Sequence, residues 1–163
     1  MKIIIAGIGK VGSTLTAQLA SDGHDITIVD QRAEVVERVC AKYDVMGMDG
    51  NCATIETLRE VGTADADLLI AVTNADEVNL LCCVTARQIN PGIHTIVRIR
   101  NSEYAQQVIE MREVFGLSLI VNPERSAAVE IERLLRFPGF LMRDSFFKGR
   151  VELVEFRINE DSP

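Results

Sequence analysis

A glycine pattern directly after an apolar run constrains this chain more than any other feature of its sequence. The stretch IIIAGIGKVG, residues 3–12, holds Gly7-x-Gly9-x-x-Gly12 behind three isoleucines and an alanine. This order is typical of the first strand, turn and helix of a dinucleotide-binding sheet. In such a turn Gly7 permits the tight bend, Gly9 lets the backbone approach a pyrophosphate, and Gly12 lets the helix pack on the sheet.

The residues between these glycines complete the predicted phosphate site. Ile8 lies in the turn, and Lys10 and Val11 lie where the helix starts. The first N–H groups of a helix have no partner inside the helix, and the helix dipole places partial positive charge there. We therefore expect phosphates to bind at these backbone amides.

An acidic residue ends the second predicted strand, as a dinucleotide site requires. Asp30 closes the run ITIVD and would accept hydrogen bonds from the ribose of an adenosine. Its charge would repel a 2′-phosphate, which favours NAD over NADP. Gln31 follows, and Arg32 could lie against the adenine or the phosphates, or be solvated. The alternative is that the glycines only permit a tight turn and that Asp30 is a helix cap.

Further candidates lie at the ends of the later strands. Asp49 and Gly50 end the third strand, where the adenine edge should lie, although Asp49 could instead cap the next helix. Thr73 and Asn74 end the fourth strand and face the crevice, although Asn74 could serve as a helix cap. Arg98 ends the fifth strand and could neutralise phosphate on this ligand or on a neighbouring subunit's ligand, or lie on the plain surface.

Short apolar runs alternate with amphipathic segments along most of the chain. The predicted strands are 2–6, 26–29, 45–48, 68–72, 95–99 and 117–121, and the predicted helices are 11–20, 33–41, one through 55 and 58, 75–89, 102–114 and 123–136. An Asn74-x-x-Glu77 capping box is predicted to open the fourth helix. Six strands with helical crossovers predict an α/β fold, a doubly wound parallel Rossmann sheet in the order 3-2-1-4-5-6.

The pattern changes at the C-terminal end. FPGF, residues 137–140, breaks the last helix, and the segment after it is apolar without a clear period. Val151–Ile158 resembles a strand in its second half, with a register slip at Leu153 that a bulge or another pairing would explain. We predict a nucleotide-binding domain at 1–136 and, at 137–163, a linker extension and the start of a truncated following domain.

Composition excludes several function classes. The net charge is −7 and the basic residues are scattered, which argues against a nucleic-acid partner. No apolar run approaches the ~20 residues of a membrane-spanning helix, and the N-terminus does not resemble a signal peptide, so a cytoplasmic chain is expected. The four cysteines have no CxxC spacing, so we expect reduced, buried thiols and no metal site.

The residues that acid–base catalysis would need are poorly placed. His24, His94 and Tyr43 fall before predicted strands, at the edge away from the crevice, and Tyr104 lies in the fifth helix. No catalytic residue is therefore predicted. The alternatives are an NAD-dependent oxidoreductase fragment whose catalytic part is missing, and a nucleotide-independent dimerisation module with a vestigial glycine loop.

Five segments together resemble one known family. These are IIIAGIGKVG, the aspartate of ITIVD, the MDGN turn, LLIAVTNADEVNL and VRIRN. They are similar to the N-terminal nucleotide-binding domain of the RCK or KTN family, found in Trk-type potassium-uptake regulators and in the gating rings of potassium channels. The resemblance covers essentially the whole chain. FFKGRVELVEF looks like the linker and opening strand of the ligand domain in longer members, which would continue well beyond Pro163.

The resemblance implies a non-catalytic regulatory subunit. Such a subunit binds NAD or NADH, and often ATP or ADP, and transmits the ligand state to a membrane-embedded potassium transporter. It would therefore be cytoplasmic and peripheral to the inner face of the membrane. Family members assemble through the helix after strand six, here 124–136, into dimers and further into tetramers or octamers. The family's nucleotide contacts carry over to Gly7, Gly9, Gly12, Asp30, Asp49, Thr73 and Asn74, with Arg98 as a phosphate contact.

Overall fold

The computed structural model describes residues 1–136, 140–146 and 150–156 of the 163-residue chain. The chain divides into two compact units, Met1–Asn122 and Pro123–Pro163. The first unit alternates strands and helices in the order β1 (Lys2–Ala6), α1 (Lys10–Ser21), β2 (Asp25–Asp30), α2 (Ala33–Lys42), β3 (Met46–Asp49), α3 (Ile55–Glu60), β4 (Leu68–Ala71), α4 (Asp76–Ile89), β5 (His94–Arg98), α5 (Ser102–Glu110) and β6 (Leu119–Val121).

The six strands of this unit form one parallel sheet. Their order is β3-β2-β1-β4-β5-β6, which confirms the predicted fold class and strand order. The chain moves outward from β1 to β2 and β3, and then returns to the other side of β1 with β4. This reversal makes a switch point at the carboxyl ends of β1 and β4, where open α/β sheets bind their ligands.

Both faces of the central strands are buried, which explains their continuous apolar sequences. Ile4 and Leu69 belong to one hydrophobic cluster, whereas Ile3, Ile5 and Ile70 belong to a second. Successive side chains of a strand point to opposite faces, so the two clusters lie on the two sides of the sheet. Helical residues contribute to both clusters, and the ends of the central strands are open to form a site.

Helix α4 does not begin with the predicted capping box. Ala75 occupies its N-cap position and the helix starts at Asp76, so the prediction that Asn74 caps this helix is wrong. Thr73, the residue before Asn74, fixes the start of this helix instead. The backbone N–H and the hydroxyl of Thr73 both donate to Oδ1 of Asn79, each at 2.7 Å. These bonds tie the loop to the first turns of α4 through Asn79.

Helix α5 and strand β6 are both shorter than predicted. The helix ends at Glu110 and the strand begins at Leu119, so a turn takes the place of the expected ends. Gly116 lies in this turn with φ +63°, a conformation that ends helical structure. Nε of Arg112 donates to the carbonyl oxygen of Leu117 at 3.0 Å and closes the turn.

The second unit contains a helix and a two-stranded antiparallel sheet, namely α6 (Pro123–Arg136), β7 (Phe140–Phe146) and β8 (Val151–Phe156). Helix α6 starts at its proline, as the sequence predicts. Strand β7 was not predicted, because its sequence FLMRDSF lacks a clean alternation. The register irregularity falls between Phe140 and Met142 of β7 rather than at Leu153.

The predicted domain boundary between 136 and 137 stays a prediction. Helix α6 groups with the β7–β8 pair, so the division into compact units falls after Asn122. Most of the predicted FPGF break and the predicted end of the last strand at 157–158 lie outside the described residues, as does the closing NEDSP.

Candidate functional site

The turn between β1 and α1 requires glycine at two of its three glycine positions. Gly7 has φ +93°, and a Cβ on it would lie 2.7 Å from the backbone N and Cα of Thr73. A Cβ on Gly12 would lie 2.0 Å from the carbonyl oxygen of Gly7, so α1 can approach the turn only without a side chain there. Gly9 differs, because an added Cβ would meet no atom within 4 Å. Gly9 therefore borders open space that a ligand could enter.

The N-terminus of α1 lies beside that space. Gly9 is the N-cap residue, and exposed Lys10 and Val11 form the start of the first turn. The N–H groups of a first turn have no acceptor within the helix, and the helix dipole adds partial positive charge. This end of α1 is chemically suited to hold a phosphate.

The carboxylate of Asp30, at the end of β2, is buried and accepts four hydrogen bonds. Its Oδ2 accepts from the N–H of Ile8 at 2.7 Å and from Nη2 of Arg32 at 3.0 Å. Its Oδ1 accepts from the N–H and the Nε of Arg32 at 3.1 Å and 2.9 Å. Burial acts to raise the pKa of the Asp30 carboxyl, but these hydrogen bonds outweigh it and the pKa lies below its ordinary value. Asp30 is therefore an anion at neutral pH.

Arg32 has a partner that the sequence did not predict. Its guanidinium pairs with Asp30, while 62% of its side chain stays exposed. The hydrogen bond and the charge of Asp30 raise the pKa of Arg32 above its ordinary value. Arg32 also occupies the N-cap position of α2, so the alternative in which Asp30 caps that helix is wrong.

Asn79, which the sequence did not single out, joins the ends of β4 and β5. Its side chain is fully buried in α4. Besides its bonds with Thr73, its Nδ2 donates to the carbonyl oxygen of Arg98 at 3.0 Å. The sequence does carry a signal for this role, because Asn79 lies on the same buried face of α4 as the apolar Cys83 and Ala86. A polar side chain at such a position needs hydrogen-bond partners in the fold.

Asp76 makes a second connection between the neighbouring loops. Its Oδ2 accepts from the backbone N–H groups of Arg100 and Asn101 at 2.9 Å and 2.8 Å. Nε of Arg100 lies 3.7 Å from Oδ1 of Asp76, and its guanidinium donates to the carbonyl oxygen of Asn74. The backbone of Asn74 is thus fixed from the β5–α5 loop, while its side chain is exposed.

The glycine turn, the start of α1 and the ends of the central strands surround a cavity of about 640 Å³ at the carboxyl edge of the sheet. Eleven of the fourteen predicted site residues line it, and the full lining is Gly7, Gly9, Lys10, Val11, Val29, Asp30, Gln31, Arg32, Gly50, Cys52, Val72, Thr73, Asn74, Val78 and Arg98. The volume is in the ~300–1,000 Å³ range of small-molecule sites. The glycine-lined approach to α1 and the anionic Asp30 fit a nucleotide, and their contacts with one stay predictions.

The three other predicted residues do not line the cavity. Ile8 contributes its N–H to Asp30, and Gly12 allows the close approach of α1. Asp49 is exposed and lies opposite Asp30 in the β2–β3 register. The alternative in which Asp49 caps α3 is wrong, because Thr54 is the N-cap residue of that helix.

The histidines and tyrosines lie away from the cavity. His24 precedes β2, Tyr43 precedes β3, and His94 is the first residue of β5, all at the amino edge of the sheet. Tyr104 lies in α5. Across the described ranges, no cluster of three or more His, Cys, Asp or Glu side chains could hold a metal ion.

Cys52 is the one cysteine in the cavity lining, and its thiol is hydrogen-bonded to Cys82. This bond lowers the pKa of the Cys52 thiol, and the same bond together with burial raises that of Cys82. Burial raises the pKa of Cys83 to about 12. These three thiols are buried, as predicted, whereas Cys40 is only partly buried.

The strand order, the glycine turn at the switch point and the acidic end of β2 define a class: a Rossmann-type domain with a dinucleotide-binding fingerprint. More specifically, the family model of the TrkA-N domain matches residues 3–123. The chain belongs to this family, and the resemblance predicted from the sequence is confirmed. No helix in the described part of the chain is long and apolar enough to cross a membrane.

Two curated relatives match nearly the whole chain. It is 37% identical over 162 residues to the Trk system potassium uptake protein TrkA homolog of Archaeoglobus fulgidus, covering 99% of this chain and 36% of that protein. It is 36% identical over 156 residues to the Trk system potassium uptake protein TrkA of Haemophilus influenzae, covering 94% of this chain and 34% of that protein. The chain thus spans about a third of the length of these relatives.

Three solved structures share the fold. The TrkA-N domain of the inner membrane protein ybaL from Escherichia coli has a TM-score of 0.74 at 23% identity, covering 82% of this chain and 96% of that one. The AMP-bound Kef CTD of Shewanella denitrificans has 0.69 at 22%, covering 84% and 82%. The GsuK channel bound to NAD has 0.63 at 19%, covering 74% and 21%.

Proposed function

We propose that this chain is the nucleotide-sensing part of a regulatory subunit of a potassium-uptake system. The cavity binds NAD or NADH, and also ATP or ADP, and the ligand state is passed to a membrane-embedded potassium transporter. The observation that carries the proposal is the convergence of the glycine turn, the α1 N-terminus and Asp30 on one cavity. The Trk system names of the relatives support the potassium-uptake setting.

Each part of an adenosine nucleotide has a group to receive it. The phosphates would bind at the backbone N–H groups of Gly9 and Lys10, and the ribose hydroxyls at Asp30. Gly50 would lie beside the adenine, and Arg98 would supply positive charge to the phosphates. Structures of the same fold bound to AMP and to NAD support this class of ligand.

The arrangement favours sensing over hydride transfer. The cofactor of an oxidoreductase would need an acid or base beside the substrate, and this chain's histidines lie at the opposite edge of the sheet. The alternative is an oxidoreductase fragment whose catalytic part is missing. A regulator should leave the nicotinamide absorbance of bound NADH unchanged with candidate substrates, whereas an oxidoreductase should change it.

Self-assembly through α6 is part of the proposal. The apolar side chains of Ile131, Leu134 and Leu135 are 57%, 59% and 76% exposed on this helix. Burying them against the same helix of a second copy would remove this apolar surface from water. A homodimer, or a tetramer built from dimers, would then sit at the inner face of the membrane through its transporter partner.

A bound nucleotide can act on the transporter only if its affinity differs between two arrangements of the subunits. A nucleotide that binds two arrangements of the subunits equally well shifts nothing, whereas one that prefers the first arrangement enriches it by the ratio of its affinities. NADH, NAD, ATP and ADP would regulate differently because they extend differently beyond the shared adenosine and phosphates.

Calorimetric titration of the purified chain tests the proposal, with its mass followed in parallel. NAD, NADH, ATP or ADP should bind, and NADP should bind more weakly because Asp30 repels its 2′-phosphate. Asp30→Ala should weaken binding, whereas Asp25→Ala, an exposed position at the other end of β2, should not. Absence of binding by all four ligands would overturn the proposal and favour the nucleotide-independent module with a vestigial glycine loop. Unchanged binding by Asp30→Ala would contradict the ribose role of Asp30.

A further inference from the structure

The hydrogen-bonding capacity of Asp30 is fully used within the chain. A carboxylate offers about four acceptor positions on its two oxygens. Two of them are taken by the backbone N–H groups of Ile8 and Arg32, at 2.7 Å and 3.1 Å. The other two are taken by Nε and Nη2 of the Arg32 guanidinium, at 2.9 Å and 3.0 Å. Every acceptor position that a ribose would use is therefore occupied.

The two kinds of donor differ in how easily they can leave. The N–H of Ile8 belongs to a turn held by Gly7 and Gly12, so it cannot move without disturbing the packing of α1. The guanidinium of Arg32 is carried by a flexible side chain that is 62% exposed. Rotation of that side chain would free two acceptor positions on Asp30 and leave the backbone bonds intact.

A ribose needs two acceptor positions on Asp30, the same number that the guanidinium of Arg32 occupies. Its 2′- and 3′-hydroxyls are two neighbouring donors, and an acidic residue at the end of the second strand receives them in dinucleotide sites. Two hydroxyls and two guanidinium N–H groups cannot share the two acceptor positions. We propose that Arg32 closes the ribose subsite and that an adenosine ligand enters it only by displacing the guanidinium from Asp30.

This assignment rests on the proposed nucleotide function of the cavity and makes Arg32 a specificity-determining residue. A ligand with both hydroxyls replaces both lost hydrogen bonds on Asp30. A ligand without them has nothing to offer the carboxylate, and Arg32 stays in place. The ion pair therefore lowers the affinity for ligands that carry both hydroxyls and leaves the affinity for ligands without them unchanged, so it weakens the preference of the subsite for an intact ribose.

Calorimetry with adenosine and 2′,3′-dideoxyadenosine tests the competition. Arg32→Met keeps most of the stem and removes the charged donors. It should raise the affinity for adenosine by about twofold to fivefold, the range expected from releasing one ion pair whose guanidinium is exposed to solvent. The affinity for 2′,3′-dideoxyadenosine should stay unchanged. Arg38→Met, an exposed change on α2 away from the cavity lining, should alter neither.

A second measurement follows the guanidinium itself. The Nε–H resonance of Arg32 can be identified by its loss from the NMR spectrum of Arg32→Met. Adenosine should shift this resonance in the wild-type chain, because the hydrogen bond to Asp30 breaks, and the dideoxy compound should leave it in place. An unshifted resonance in the presence of bound adenosine overturns the inference.

The outcomes separate this inference from the proposed function. If NAD or ATP binds the wild-type chain but Arg32→Met binds adenosine equally well or more weakly, Arg32 does not compete with ribose and only the inference fails. If the wild-type chain binds neither adenosine nor any of the four nucleotides, the proposed function fails and the inference fails with it.

Discussion

Gly12 and Gly9 lie three residues apart in one motif, yet the structure predicts opposite consequences for replacing them with alanine. The methyl group of Gly12→Ala would lie 2.0 Å from the carbonyl oxygen of Gly7. Ordinary carbon–oxygen contacts in proteins are about 3.3–3.6 Å. Helix α1 or the turn after β1 must therefore move by more than an ångström to accept the methyl group.

Two terms set the size of the effect. Alanine is favoured over glycine inside a helix by about 1 kcal/mol. Overpacking in a well-packed region costs about 1–3 kcal/mol and occasionally more. The atom that the methyl group meets belongs to the backbone and cannot rotate away, so the cost should reach the upper end of that range. A net loss of about 2 kcal/mol is expected, or roughly 5–10 °C in Tm for a domain of this size.

Gly9→Ala should leave the fold intact and weaken the binding of the ligand. The residue has φ −80°, which alanine adopts readily, and its Cβ would meet no atom within 4 Å. That space lies at the N-terminus of α1, where the phosphates are proposed to approach the backbone. A methyl group there should weaken nucleotide binding while the Tm stays close to that of the wild-type chain.

Thermal unfolding by circular dichroism, paired with calorimetric titration of ADP, measures both effects in the same samples. Gly12→Ala should unfold at a clearly lower temperature than the wild-type chain, and Gly9→Ala should bind ADP more weakly without that loss. The packing argument is refuted if Gly12→Ala melts together with the wild-type chain, or if Gly9→Ala is the less stable of the two.

Three further predictions follow from named contacts. Asn79→Ala and Asn90→Ala should each lose about 1–3 kcal/mol of stability, because each amide bonds part-buried backbone groups of other segments. Only Asn79→Ala should also weaken nucleotide binding, since Asn90 lies at the amino edge of the sheet, and equal effects on binding would contradict this. Folding lowers the pKa of the Asp30 carboxyl from 3.8, so its contribution to stability is present above that pH and is lost as the pH falls through the pKa of the folded state. Urea unfolding at several pH values should therefore show a smaller acid-induced loss of stability for Asp30→Asn than for the wild-type chain. Leu135→Glu should reduce the mass measured by light scattering toward the monomer, whereas Val114→Glu, at an equally exposed apolar position in the first unit, should not.

The parallel sheet and its order could be predicted because they rest on short-range patterns. Apolar runs at regular intervals mark the strands, and the spacing of Gly7, Gly9 and Gly12 identifies the first turn. The start of α4 was predicted wrongly because Asn74 and Glu77 match a capping box locally, whereas Thr73 and Asn79 make the bonds that fix the loop. A tertiary contact overrode a local preference at that point.

The hydrogen bonds between the site residues were harder to predict than the identity of those residues. Strand ends identify the residues that meet at an edge of the sheet, so most of the lining could be anticipated. The pairing of Arg32 with Asp30 depends on a side-chain conformation that spacing does not encode. The bridge from Asn79 to Arg98 joins residues nineteen positions apart, and only the fold brings them together.

The same bonds indicate how a ligand would reach the rest of the first unit. Thr73 and Arg98 line the cavity, and Asn79 joins both of them to α4. Asp76 then joins the first turn of α4 to the β5–α5 loop through the N–H groups of Arg100 and Asn101. A nucleotide that displaces Thr73 or Arg98 must therefore move α4 and this loop together, or break buried hydrogen bonds at a cost of about 1–3 kcal/mol for each group left unpaired. Because moving them together avoids that cost, the carboxyl edge should respond to its ligand as one connected body.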